Sequence, residues 1–292
     1  TIASVIRDFR EALPTARIVV CDNNSSDDTV AIALAEGAEV RHERLQGKGN
    51  AVRRMFAVLE ADVYVMVDGD ATYEAAAVPA LVDRLREEGL DLVVGRRVTT
   101  ETDAYRSGHR FGNWALTTFT GWIFGRTFAD MLSGYRVMSR GYVKSYPAHA
   151  RGFDTEVELA VHALELRLPV AEVDTVYLAR PEGSFSKLST YKDGIRILGT
   201  VLAMTRNGRP LAFFGFLAAL CVVVAVMLAL PLVATYLETG LVPRFPTAIL
   251  SASLVLMGSV FFASGLILDT VAVARREHKY GLYLQHSRKS ES

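Results

Sequence analysis

The stretch VYVMVDGDATY, Val63 to Tyr73, decides how the chain is read. Val63 to Val67 is an apolar, β-branched run of strand length with no helical period, and it ends abruptly in Asp68, Gly69 and Asp70. The pattern predicts a buried strand of a parallel sheet that delivers two carboxylates at its C-terminal edge, where open α/β sheets bind ligands. Carboxylates so close repel each other, and one keeps its proton unless a cation lies between them. Mg²⁺ or Mn²⁺, which take hard oxygen ligands and leave room for substrate phosphates, suit that position. Asp-Gly-Asp after a strand also reads as a plain turn, since both residue types favour turns.

Upstream, Ile2, Val5, Ile6, Phe9 and Leu13 lie on one face of a helix over residues 1–13, closed by Pro14. A short strand over 16–21 runs into the polar cluster DNNSSDDT, residues 22–29, which opens a helix over 30–36. Ser, Asp and Thr there serve as helix caps. Asp22, at a strand end, is also suited to accept hydrogen bonds from a ribose or base, and the free amides of a helix start favour anions. A strand is predicted over 38–42, and Gln46 to Asn50 leads into a helix over 51–60. The Gly47-Lys48-Gly49 turn lacks the GxxxxGK[ST] spacing of a phosphate loop, and no GxGxxG is present. Lys48 is either a solvated turn lysine or one placed to approach a nucleotide closely.

Downstream, a helix over 75–88 precedes a strand over 90–95 that ends in Arg96 and Arg97. Acid for a metal and base for a phosphate then share one sheet edge, as phosphoryl ligands require. The apolar stretch Phe111 to Gly125 is 15 residues long, too short to span a bilayer. It is followed by Asp130, Ser133, Gly134 and Arg136, by a helix to Leu166 capped by Asp154 or Thr155, and by a strand over 170–179. A polar loop over 182–187 leads into an amphipathic stretch over 188–207 suited to a membrane surface.

The chain of 292 residues carries 32 basic and 32 acidic side chains, and this balance gives no reason to propose a nucleic-acid partner. Six scattered histidines have no zinc-like spacing. Cys21 and Cys221 fall in a predicted strand and a predicted span, so no disulfide is expected and a reducing compartment fits. No signal peptide is visible. Residues 211–236 are 26 positions without a charge and 247–268 are 22 more, each long enough to cross a hydrocarbon core. Basic residues flank the pair, with Arg206 and Arg209 before it and Arg275, Arg276, Lys279, Arg288 and Lys289 after it, against a single Arg244 between. The positive-inside tendency places both ends, and the preceding domain, in the cytoplasm.

Taken together, DNNSSDDT (22–29), GKGNA (47–51), DGD (68–70), GRR (95–97), DMLSGYR (130–136), FDTEVEL (153–159) and SKLSTY (186–191) resemble the family-2 glycosyltransferases of GT-A fold. Within these, the resemblance is to dolichol-phosphate mannose synthases and bacterial polyprenyl-phosphate glycosyltransferases. It covers roughly residues 1–200 and implies a Rossmann-like, mostly parallel sheet with helices on both faces. A juxtamembrane helix and two transmembrane helices follow. The expected division is a catalytic domain over 1–187, an amphipathic segment over 188–210, spans within 211–274 (about 211–236 and 247–270) and a basic tail over 275–292.

The resemblance further implies roles. Asp22, Asn24, Ser26, Lys48 and Asp68 would bind the nucleotide sugar, and Asp68 and Asp70 would hold Mg²⁺ or Mn²⁺. Asp130 would lie near the reacting centre, with Asp70 and Arg97. Arg97, Arg106, Arg110, Ser133, Arg136, Ser186 and Lys187 would face acceptor or donor phosphate. The implied reaction moves a hexose, with inversion, from a nucleotide sugar to a polyprenyl or dolichyl phosphate in the bilayer. Homo-oligomerisation is left open. Three departures stand out: the family's opening strand and PxYNE-like motif are absent, Thr72 replaces a frequent Gln, and GRR replaces GSR. Two rivals share features. VMVDGDAT matches the hhhDxDxT pattern of haloacid-dehalogenase-type phosphatases, with Asp68 as nucleophile and Asp70 as acid/base. A non-catalytic membrane module that binds nucleotide sugars would keep the spans without needing the carboxylates.

Overall fold

The computed structural model describes residues 1–98, 117–118, 120–121, 125, 128–148, 155–178, 199, 202–203 and 205–287. Two compact units are formed, one by residues 1–197 with 278–292 and the other by 198–277.

The first unit opens with helix α1 (Ile2–Ala12), whose Ile6 and Phe9 are buried. Strand β1 (Val19–Asp22) pairs in parallel with β2 (Glu39–His42), and helix α2 (Thr29–Ala35) connects them. Helix α3 spans Lys48–Val58, so it begins three residues before the expected start and takes Lys48 as its first residue. Gly47 precedes it at φ 128°, a conformation that favours glycine.

Strand β3 (Val63–Met66) is followed by a short 3₁₀ turn, Ala75–Ala77, and helix α4 (Val78–Glu87). Strand β4 (Leu92–Val98) overruns its expected end at Gly95. Arg96 and Arg97 stay in the strand because they pair in register with Asp174 and Thr175 of β6 (Val170–Val176).

The second sheet has the order β3-β5-β4-β6, with β3, β4 and β6 running in one direction as expected and one reversed strand among them. Strand β5 (Arg136–Ser139), which sequence patterning missed, inserts between β3 and β4 and runs antiparallel to both, while β4 and β6 are parallel. Helices α5 (Arg140–Ser145) and α6 (Thr155–Leu166) complete the described part of this unit before its C-terminal segment. The expected cap Asp154 lies outside the described residues. The core joins Phe9, Tyr73, Leu81, Val93, Tyr135 and Val137, drawn from α1, α4 and the strands between. Cys21 and Cys221 are both free thiols.

The last residues of the chain's final helix belong to this unit. Lys279 donates to Glu165 at 2.7 Å, and Tyr283 donates to Asp91 at 2.9 Å while Ser139 donates to the other oxygen of Asp91 at 2.5 Å. Burial raises the Asp91 carboxyl above its usual range, and the two hydroxyl donors oppose that rise.

The second unit is a helical hairpin. Helix α7 (Pro210–Thr239) and helix α8 (Phe245–Ser287) are both long and apolar enough to cross a membrane. Gly240, in the left-handed region, closes α7 with its N–H on Tyr236. The buried positions of α8 within the hairpin are Ser251, Gly258, Gly265 and Ala272. A Cβ on Gly258 would lie 3.1 Å from the Ala218 carbonyl, and one on Gly265 would lie 3.1 Å from Phe214 Cβ. Small residues thus set how closely the two backbones approach. Ser251 donates to the Ala225 carbonyl at 2.8 Å. The amphipathic segment expected over 188–210 lies largely outside the described residues.

The Lys279–Glu165 pair is nearly buried, at 12% and 8% side-chain exposure. Glu165→Ala leaves the ammonium without its partner and should cost about 3 kcal/mol. Thermal unfolding in detergent should show this as a drop in Tm of several degrees, and adding Lys279→Met should restore most of it.

Candidate active site

The antiparallel pairing of β3 with β5 sets Met66 opposite Arg136. The residues leaving β3 therefore lie beside those entering β5. Asp68 Oδ2 comes so close to Gly134 that a Cβ there would stand 2.5 Å from it. The Gly134 N–H donates to Tyr73 Oη at 2.8 Å, and Ser133 Oγ donates to the Gly95 carbonyl at 2.6 Å. Burial pushes the Tyr73 phenol up to about 12, against the pull of the Arg97 charge.

Asp70 Oδ1 accepts the Thr72 hydroxyl at 2.6 Å and the Thr72 N–H at 3.3 Å, and Ala71 between them takes φ 59°. Thr72 therefore steadies Asp70 by a local turn. This ties the residue that departs from the family's Gln to its carboxylate neighbour.

Lys48 reaches across from α3. Its ammonium donates to Asp68 Oδ1 at 2.5 Å and also pairs with Glu156 of α6. Burial alone would lower the pKa of this lysine, but the Glu156 and Asp68 carboxylates reverse the effect and hold it above its ordinary range. Glu156 is 5% exposed, and its Oε2 is buried with no hydrogen-bond partner among the described residues.

Strand alternation separates the two arginines of GRR. Arg96 points outward into an exposed two-pronged pair with Asp174, at 2.5 and 2.7 Å. Arg97 points the other way and grips Asp130 with Nε at 2.7 Å and Nη2 at 2.8 Å, with its guanidinium 5.5 Å from the Tyr177 ring centre. Asp130 is 3% exposed. Glu172 of β6 holds the same loop by accepting the N–H groups of Ala129 at 2.8 Å and Asp130 at 3.0 Å. Sequence reading did not single out Glu172, whose role depends on the loop it happens to face.

Other expected residues fall elsewhere. Asp22 accepts the Ser25 N–H at 3.1 Å and meets His42 Nδ1 at 3.1 Å. The Ser25 bonds, helped by His42, hold its carboxyl below the usual range. Asn24 sits at φ 65° and donates to the Arg44 carbonyl at 2.9 Å, while Ser26 is exposed. Ser133 and Arg136, expected on acceptor phosphate, are corrected by the structure: both are wholly buried. Arg136 donates to the carbonyls of Ser133 at 3.0 Å and Met131 at 2.8 Å, so it braces the turn from within. Arg106, Arg110, Ser186 and Lys187 lie outside the described residues.

Asp68, Asp70, Asp130 and Glu156 supply four carboxylates, and Lys48 and Arg97 supply two cationic groups. The formal excess of two negative charges matches a divalent ion. Among the described residues no group of three or more His, Cys, Asp or Glu is arranged to hold a metal. Mg²⁺ or Mn²⁺ fits on these terms, since such ions use one or two carboxylates and take the remaining oxygens from phosphate and water.

Comparison with known proteins identifies the family. Residues 1–146 match the family described as Glycosyl transferase family 2. The chain is 31% identical to the glycosyltransferase AglJ of Haloferax volcanii, over 95% of this chain and 91% of that protein. It is 29% identical to the dolichyl-phosphate hexose transferase of the same organism, over 67% of this chain and 84% of the relative. Among solved structures, it resembles glucosyl-3-phosphoglycerate synthase from Mycobacterium tuberculosis in complex with Mn²⁺, UDP and glucosyl-3-phosphoglycerate. That match has a TM-score of 0.55 and 25% identity, over 70% of this chain and 74% of the other.

Removing the Glu172 carboxylate should release the two amides it holds. Glu172→Ala is expected to speed hydrogen exchange at Ala129 and Asp130 by at least about tenfold, as loss of a charge-assisted bond of 1.5–3 kcal/mol predicts. Exchange in α4 should stay unchanged.

Proposed function

The chain belongs to glycosyl transferase family 2, and on that premise we propose that it moves a hexose from a nucleotide-diphosphate sugar to a membrane polyprenyl or dolichyl phosphate. UDP-glucose and GDP-mannose are the leading donors, and the sugar carbon is inverted. The observation that carries this reading is the meeting of Asp68 with the Asp130–Gly134 segment, in a chain that also holds two helices of membrane-crossing length. The dolichyl-phosphate hexose transferase among its relatives supports the acceptor class. The Mn²⁺- and UDP-bound structural neighbour supports the donor class and a divalent ion. Family membership sets aside both the phosphatase and the non-catalytic readings.

The acceptor simplifies the chemistry. A lipid monophosphate, with a second pKa near about 6, is largely ionised at neutral pH and is already a nucleophile. Binding and charge neutralisation remain for the protein. Asp68 and Asp70 would hold Mg²⁺ or Mn²⁺, which supplies positive charge to the leaving diphosphate. Arg97 adds a permanent cation, and Asp130 fixes the plane of its guanidinium. With both carboxylate oxygens engaged by Arg97, Asp130 is cast as a positioning residue rather than a general base. Asp22 sits at the end of β1, where a nucleoside would lie, and the same loop is fastened by Asn23, which accepts the Gly47 N–H at 2.6 Å. Arg206, Arg209, Arg275, Arg276 and Lys279 against the lone Arg244 support cytoplasmic ends for the two spans.

The direct test is transfer by the full chain in detergent, with polyprenyl phosphate, Mg²⁺ or Mn²⁺, and labelled UDP-glucose, GDP-mannose or UDP-N-acetylglucosamine offered separately. Label should enter the lipid phase from one donor and be lost with Asp70→Asn; no lipid-phase label from any donor would count against the proposal. Gly134→Ala should lower kcat/KM by about a hundredfold, since its Cβ displaces Asp68 by a sizeable fraction of an ångström or more. An unchanged Tm would show that the loss is local.

A further inference from the structure

We propose that Lys48 is a resident counter-cation that occupies Asp68 before the divalent ion binds, and that Glu156 is the berth to which it withdraws. The inference rests on Asp68 and Asp70 being the metal carboxylates. Three observations carry it. The Lys48 ammonium contacts Asp68 and Glu156 together, so it needs only a small movement to favour one over the other. Glu156 is buried, and its Oε2 has no hydrogen-bond partner among the described residues, which leaves an acceptor for a further ammonium N–H. Lys48 is also the first residue of α3, where its backbone is fixed by the helix while its four-carbon stem can swing.

An ammonium 2.5 Å from Asp68 Oδ1 and a divalent ion on the same carboxylate repel each other. Lys48 avoids this by giving up Asp68 and making both of its strong bonds to Glu156. No buried charge is stranded in either arrangement. The Asp68 carboxylate thus has a cationic partner before and after the ion binds, and Glu156 acts as a positioning residue that tunes how readily the ion is admitted.

The test is direct Mn²⁺ binding to the full chain in detergent without nucleotide sugar, read from the electron paramagnetic resonance signal of free Mn²⁺. Glu156→Gln deprives Lys48 of its alternative and should weaken Mn²⁺ binding about tenfold, the scale of one charge gained or lost within a few ångströms. Lys48→Met with Glu156→Gln removes the competing cation together with its berth, leaves no buried charge from the pair, and should bind about tenfold more tightly than the wild type. The signature is that Glu156→Gln acts through Lys48: added to Lys48→Met it should leave Mn²⁺ binding unchanged. If Glu156 merely added negative charge to the site, Glu156→Gln would weaken binding by the same factor with or without Lys48, and the proposal would be overturned. Asp70→Asn separates the two levels: Mn²⁺ binding that is indifferent to it would overturn the metal assignment itself. Binding that depends on Asp70 but not on Lys48 or Glu156 would overturn only the gate.

Discussion

The arrangement depends on one close approach: the Asp68 carboxylate against the bare Cα of Gly134. It exists because β5 runs antiparallel to β3, so that the exit of one strand meets the entry of the other. Segments more than sixty positions apart in sequence are brought side by side by four residues of pairing. Everything else in the site is arranged about that contact. Tyr73 anchors the Gly134 amide, Ser133 anchors to Gly95, and Arg136 fills the space under the turn with donors for its carbonyls.

Buried charge in this unit is handled in two ways. Arg136 is enclosed with main-chain carbonyls as its partners, a fixed brace with no ion pair among the described residues. Lys48, Asp68 and Glu156, and likewise Arg97 and Asp130, are enclosed as opposed charges. Opposed charges in a partly dry site are costly to assemble and strongly directional once formed. They lie about the ends of β3 and β4, apart from the aromatic core of Phe9, Tyr73 and Tyr135.

Much of this was legible from residue patterns. The strand before Asp68, the helices over the first ninety residues and the two long apolar helices follow from periodicity and length, which are local properties. Strand β5 was not legible: its four residues begin with a charged arginine and show no alternation, because β3 and β4 flank it on both sides. The expectation of a mostly parallel sheet holds for the direction of β3, β4 and β6, and β5 is the reversed strand it did not foresee. GRR left Arg96 and Arg97 interchangeable until the register with β6 turned one outward to Asp174 and the other inward to Asp130. Ser133 and Arg136 were expected on phosphate from the family resemblance of their segment, and only packing shows that they hold the turn. Glu156 and Glu172 act through partners more than forty positions away, a kind of information that no window of sequence holds.

The hairpin of α7 and α8 carries its own geometric consequence. Ser251, Gly258, Gly265 and Ala272 recur every seven residues, as do the buried Ala218, Ala225 and Leu232 on the facing helix. A straight α-helix completes its turns slightly out of step with a seven-residue repeat and drifts by about 20° per heptad. A seam that repeats every seven residues favours a gentle left-handed winding of the two helices round each other. The outward-facing side chains, Leu230, Leu256 and Ile267 among them, then trace a slow spiral rather than a flat face. Any molecule alongside the hairpin meets a surface whose direction turns with depth.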